Sequence, residues 1–174
     1  IPTANSYGWN NTAVIVTFNG YDAVSSNSYC TADKTVFSEG VSQGVSGTCT
    51  DFAGNSRSAF HAVNIDKTAP TTTAELSGSL LNGWYNTAVS ISLVSGDVLS
   101  GVMQTNYRLE RGGVLVSSGI YTAPITASAD GLYTAYYYGT DKAGNAEAEK
   151  PTAFKIDRTL PQVSYALAPA PNGS

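Results

Sequence analysis

Charge is what this sequence has least of. Asp, Glu, Lys and Arg make up 13% of its 174 residues, against about a quarter in an ordinary soluble domain. Ser, Thr, Asn and Gly fill that space, a composition that suits an extracellular β-protein. Nine basic residues stand against 13 acidic ones, for a net charge of -4, and no basic run exists. That balance argues against an electrostatic grip on nucleic acid or on an anionic membrane, both of which want clustered Lys and Arg. One His (His61), one Met and two Cys leave little from which to build a histidine-ligated zinc site or a histidine-based triad. Membrane insertion would need about 20 consecutive apolar residues, and every apolar stretch is broken by Ser, Thr or Gly within a few positions. Helical spacing of apolar residues is nowhere sustained.

What the chain does have is enough apolar residue, 42%, to bury a core. Both ends, Ile1-Pro2-Thr3-Ala4 and Pro169-Ala170-Pro171-Asn172-Gly173-Ser174, read as linker. The chain is therefore expected to be a piece of something larger.

An internal repeat organises the sequence. Gly8-Trp9-Asn10-Asn11-Thr12-Ala13-Val14 returns 75 residues later as Gly83-Trp84-Tyr85-Asn86-Thr87-Ala88-Val89, and Asp22 returns as Asp97 at the same offset. Thr50-Asp51-Phe52-Ala53-Gly54-Asn55 returns as Thr140-Asp141-Lys142-Ala143-Gly144-Asn145, now 90 residues on, so the second copy carries an insertion. Each copy closes alike: Asn64-Ile65-Asp66-Lys67-Thr68-Ala69-Pro70 is answered by Lys155-Ile156-Asp157-Arg158-Thr159-Leu160-Pro161. Two domains are expected, 1–69 and 70–162, with 163–174 the start of a linker to a following module.

Within each copy the apolar period is two, as in Val14, Val16, Phe18 and in Val89, Ile91, Leu93, the pattern of strands buried on one face. Strand-like runs are separated by Gly, Asn, Asp and Ser clusters. This predicts an all-β chain of two tandem immunoglobulin-like antiparallel β-sandwiches of about seven strands each. In the second copy the strands are expected near 71–76, 88–95, 102–110, 113–118, 123–128, 132–140 and 146–156, with Arg111-Gly112-Gly113 as a hairpin turn. Trp9 and Trp84 are expected to pack at the start of the second strand of each copy.

The Gly-Trp-Tyr-Asn entry at 83–86, Asp97-Val98-Leu99-Ser100-Gly101-Val102, Tyr121-Thr122-Ala123-Pro124, the Asp-x-Ala-Gly-Asn blocks and the Ile-Asp-Lys/Arg-Thr-x-Pro exits carry a family resemblance. The chain resembles bacterial immunoglobulin-like repeat modules, related in architecture to fibronectin type III domains and common in large secreted and surface proteins. The first copy departs from the pattern: Asp22-Ala23-Val24-Ser25-Ser26-Asn27 lacks the Gly-Val step, so its loop is expected to be shaped differently. The resemblance implies a non-catalytic structural spacer, or an adhesion and presentation arm, in an extracellular secreted or cell-surface protein. Its first partners would be neighbouring domains of the same polypeptide. The alternative it implies is an accessory carbohydrate-binding module beside a polysaccharide-degrading enzyme, and fold alone does not choose between them.

Cys30 and Cys49 form an even pair confined to the first copy. Cys49 falls in phase with Val45, and a disulfide between neighbouring strands is expected of a secreted-type chain. Two buried free thiols are the other reading.

In such a sandwich the loop between the second and third strands and the loop between the last two lie at one end, together with the incoming chain. For the second copy that end would collect Asp97 and Ser100, Asp141 and Asn145, and Asp66 from the exit of the first. Asp66, Asp97, Asp141 and Asn145 are the candidate ligands of a calcium ion, which takes 6–8 oxygen ligands and would stiffen the joint. The same residues also suit plain turn chemistry, Asp accepting backbone N–H bonds and Gly supplying positive φ. Each of these carboxylates sits in a turn motif rather than paired across a cleft, so glycosidase chemistry is not expected.

Tyr numbers 11, and four lie in Leu132-Tyr133-Thr134-Ala135-Tyr136-Tyr137-Tyr138-Gly139. If Tyr133, Ala135 and Tyr137 point inward, Tyr136 and Tyr138 point outward on one face, where they could stack on the sugar rings of a polysaccharide or surface glycan. Cross-strand packing with neighbours such as Tyr107 is the other use of that face.

Overall fold

The computed structural model describes residues 3–25 and 28–166. Ile1–Pro2 and residues 167–174, on which the linker expectations partly fall, lie outside the described residues. Every regular element among the described residues is a strand, and the chain folds as tandem antiparallel sandwiches of the immunoglobulin-like type.

The first repeat forms β1 (Val14–Val16), β2 (Ser28–Cys30), β3 (Lys34–Val36), β4 (Gly40–Asp51) and β5 (Ser56–Ile65). β1 pairs with β3, and β2, β4 and β5 make the facing sheet in that order. The period-two pattern explains the packing: Val14 and Val16 point inward from β1 and meet Val45, Val63 and Ile65 from the other sheet. Five buried side chains at about 1.5–3 kcal/mol each are a thin core for some 60 residues.

A covalent link offsets that thinness. Cys30 and Cys49 stand directly opposite in the β2–β4 ladder and are joined as a disulfide. The bond sits on the inward phase that Cys49 shares with Val45.

The second repeat forms β6 (Thr71–Ser77), β7 (Leu80–Leu81), β8 (Trp84–Tyr85), β9 (Val89–Gly96), β10 (Val102–Arg111), β11 (Val114–Ile120), β12 (Ile125–Ala127), β13 (Gly131–Asp141) and β14 (Lys150–Ile156). One sheet runs β11-β10-β13-β14-β8-β7, the other β12-β9-β6. Val89, Ile91 and Leu93 of β9 pack against Leu109, Tyr133, Ala135, Tyr137, Phe154 and Ile156. Tyr133 stacks on Phe154 at 5.1 Å between ring centroids, and Tyr85 meets the same ring edge-on at 6.3 Å. The β10–β11 hairpin closes through Gly112 and Gly113 at φ +56° and +79°, the double positive φ of a two-residue turn that favours glycine.

Three local expectations change. Trp84 is 40% exposed, under the Lys155 ammonium at 4.7 Å, and the core place goes to Tyr85. Tyr107 stands opposite Tyr137 and packs on the core side, so it does not neighbour Tyr136 and Tyr138. The continuous last strand starts at Lys150 rather than 146: Ala146 keeps an isolated bridge to Thr140 and the Glu147 N–H reaches the Gly139 carbonyl, but the return bond from the Gly139 N–H goes to the Glu147 side chain. Its carboxylate accepts from the Gly139 N–H at 2.8 Å and the Thr72 N–H at 3.2 Å, and pairs with the Lys150 ammonium at 2.8 Å. Burial pushes the Glu147 carboxyl up, but the bonds from Lys150, Thr72 and Gly139 outweigh it and hold the group below its ordinary value.

Two stability predictions follow from these features. Cys30→Ser with Cys49→Ser should lower the unfolding transition of the first repeat by about 3 kcal/mol, the loop-closure value for a ring of about 20 residues, and leave the second transition in place; calorimetry reads both. Glu147→Gln should destabilise the second repeat by about 1–3 kcal/mol at neutral pH. Because the folded pKa is depressed, that contribution is present above the unfolded value and is lost as pH falls through the folded one. Denaturant titrations of the two proteins should therefore converge in acid.

Candidate functional site

The chain passes from the first core to the second between Ile65 and Thr71, and three carboxylates converge there. Asp66 follows the last residue of β5, Asp97 follows β9, and Asp141 ends β13. A ligand atom from each lies within 4.8 Å of the others, and both Asp66 and Asp141 have no solvent exposure.

Local chemistry fixes each one. The Asp66 carboxylate accepts the Thr68 N–H at 3.1 Å and, across the joint, the Ser100 N–H at 2.9 Å. Asp97 accepts the Gly101 N–H at 2.7 Å, and Gly101 sits at φ +76°, where a side chain would strain the turn. Asp141 accepts the N–H groups of Gly144 and Asn145 at 2.7 and 2.8 Å. The turn chemistry anticipated for these residues is present, and it is also what gathers them.

Asn145 plays a bracing part. Its amide nitrogen donates to Asp141 Oδ2 at 2.7 Å and to the Asp66 carbonyl at 2.9 Å. The NH₂ end thus faces the carboxylates, and Asn145 ties the exit of the first repeat to the last turn of the second instead of offering an oxygen. Ser100, gathered at the same end, accepts the Ala143 N–H through its hydroxyl at 3.3 Å. Asn5 donates to the Lys142 carbonyl at 2.7 Å, a further bond between the repeats.

The electrostatics of this cluster are one-sided. Ion pairs among the described residues join Arg108 to Glu110 and Glu149, and Lys150 to Glu147, so none reaches the three Asp. Burying like charges without a counter-charge is costly. An all-oxygen donor set with no nitrogen or sulfur is the chemistry that hard cations such as calcium accept. An open cavity of about 320 Å³, lined among others by Glu39, Asp66, Thr68 and Asp97, adjoins the cluster on the side of its part-exposed member, Asp97.

Glu39 is a residue that sequence reasoning missed. It accepts the Lys67 N–H and the Thr68 hydroxyl, bracing the exit from the other side. Asp130 does the same for Arg158 and Thr159, 91 residues later as in the exit motif itself. That recurrence of an acid at a fixed distance before each exit was the available signal.

Tyr136 and Tyr138 do lie on the face opposite the buried Tyr133, Ala135 and Tyr137, and both are half-buried. The Arg108 guanidinium lies 3.9 Å over the Tyr136 ring, its usual cation–π geometry, and Tyr138 stands opposite Asn106. Arg108 therefore lies over one of the two rings of that face.

No protein-family model matches this chain and no curated protein is similar to it. Among solved structures it is similar to the fibronectin(III)-like modules of Clostridium thermocellum CbhA, at 12% identity and a TM-score of 0.42, over 95% of this chain and 97% of that one. The fold class rests on the sheets and cores described above. No helix of the described residues is long and apolar enough to cross a membrane.

Proposed function

We propose that this chain is a non-catalytic spacer or presentation arm of a larger extracellular protein, and that a divalent cation, calcium by its donor set, stiffens the joint between its repeats. The observation that supports this reading is the convergence of Asp66, Asp97 and Asp141 at the crossing point between two cores. A cation there would be held by one residue of the first repeat and two of the second, so its binding energy would count directly against bending of the joint. The connection is short and ends in the buried Pro70, whose fixed φ further limits swing. Both the low charge and the disulfide suit an oxidising, extracellular setting.

Thermal unfolding in calcium and in chelator tests the proposal. Calcium at about 100 times its dissociation constant should add roughly 2.7 kcal/mol, a shift of several degrees for repeats of this size. Asp97→Asn is the variant of choice because Asp97 is the least buried of the three, and it should abolish the shift while leaving the fold intact by circular dichroism. Equal transitions in calcium and chelator for the parent chain would overturn the cation joint.

A further inference from the structure

Strand phase separates the two sides of the β2-β4-β5 sheet. Val45 belongs to the core and Cys49 shares its phase, so Ser46, Thr48 and Thr50 face outward. The β4–β5 ladder sets Phe60, Ser58 and Ser56 beside them in that order, and the β2–β4 ladder sets Tyr29 beside Thr50. Side-chain bonds mark the shared face: the Thr48 and Ser58 hydroxyls meet at 2.8 Å, and those of Thr50 and Ser56 at 2.7 Å. The outer face of the first repeat is thus a strip of paired hydroxyls.

Two aromatic rings bound the strip at opposite corners. Tyr29 and Phe60 are 65% and 72% exposed. Four residues along β4 and two strand spacings across the sheet put them about 17 Å apart. The Phe60 ring does not stand away from the sheet. A Cβ added at Gly44 would come within 2.7 Å of its Cε2 and 3.1 Å of its Cζ, so the ring lies over the bare backbone of Gly44 and turns its outer face to water.

Charge is kept off this face. None of the outward-facing described residues of β2, β4 and β5 is charged. Asp51 and Arg57 carry the phase of Cys49 and point to the other side of the sheet. Lys34 of β3 reaches only the edge, where its ammonium donates to the Ser46 carbonyl at 2.7 Å. The equivalent face of the second repeat is built differently: there Arg108 lies over Tyr136 and pairs with Glu110 and Glu149.

We propose that the outer face of β2-β4-β5 is a binding platform for a neutral polysaccharide, Tyr29 and Phe60 stacking on sugar rings and the Thr48–Ser58 and Thr50–Ser56 hydroxyls bonding to the sugar hydroxyls between them. The inference goes beyond the spacer reading and shares no residue with the cation joint.

The chemistry of the face selects this occupant. A sugar chain presents apolar C–H faces to aromatic rings and hydroxyls at its edges, and the strip offers a partner for each. Each hydroxyl pair spends one O–H on its internal bond and keeps the other for an outside acceptor, with lone pairs to spare. A charged ligand finds no counter-charge here, so an acidic glycan is disfavoured on the same ground that admits a neutral one. A protein partner fits less well, because Ser is depleted from the cores of protein interfaces. The corner-to-corner separation of the rings matches an extended chain of several sugar units rather than a single sugar.

Native electrophoresis of the full chain through gels carrying hydroxyethylcellulose, mixed-linkage β-glucan, xylan or galactomannan tests this, with polygalacturonate as the acidic control. At least one neutral gel should retard the chain, and polygalacturonate should not. Tyr29→Ala with Phe60→Ala, both at exposed positions, should weaken the retention by about tenfold or more without moving either thermal transition. Gly44→Val, which lifts the Phe60 ring from the sheet, should weaken it too, whereas Tyr136→Ala with Tyr138→Ala should leave it unchanged. No retardation in any of the four neutral gels would overturn the platform, and self-association lost in the Tyr29/Phe60 variant would give the face to a second copy instead. Retardation that this variant leaves intact, or that polygalacturonate matches, would overturn it as well. Retention should be equal in calcium and in chelator; retention in calcium alone would move the contact to the joint and sink the platform, while a calcium-independent result leaves the cation to its own thermal test.

Discussion

A strand in this chain is only as long as the neighbour that takes its hydrogen bonds. The backbone of β9 is extended for eight residues, seven of them laddered to β6, and the core residues it presents are no more apolar than those of β1. β1 runs for three residues, the length of its ladder with β3. Main-chain satisfaction, rather than side-chain propensity, therefore sets the extent of the sheets.

Turns do the second half of the organising. The Asp-x-Ala-Gly-Asn block is a hairpin device in both repeats, with the same two bonds from Asn to Asp. In the second repeat the Asn amide has one more acceptor in reach, the carbonyl of Asp66, and a local turn becomes a fastening between two cores. The carboxylates that shape the turns are the ones that crowd the joint, so the proposed cation would draw on atoms already held by turn geometry.

Much of this was legible in the sequence. The period-two pattern placed the strands of the second repeat to within a few residues, apart from the short β7 and β8. The pairing of Cys30 with Cys49 and the gathering of Asp66, Asp97 and Asp141 followed from strand phase and from which loops share an end. What stayed hidden depends on side chains reaching across the sheets. Glu147 cuts β14 short by offering a carboxylate where a ladder would run, and no periodicity signals that. Arg108 covers Tyr136 from an adjacent strand whose register the sequence does not state. Asn145 reads as an oxygen donor until the acceptors around its nitrogen are seen. Trp84 loses the core to Tyr85 because the short β8 turns the second of the two aromatics inward.

The disulfide gives the two repeats different mechanical character. Cys30 and Cys49 enclose a loop of 19 residues of separation, so tension applied at the ends of the chain cannot draw that loop out. At about 3.4 Å per extended residue it withholds roughly 65 Å of contour length. Under load the first repeat yields a short, covalently limited extension, while the second, with no such bond, can pay out its full length. A chain built this way stretches unevenly, and the redox state of Cys30 and Cys49 determines how far.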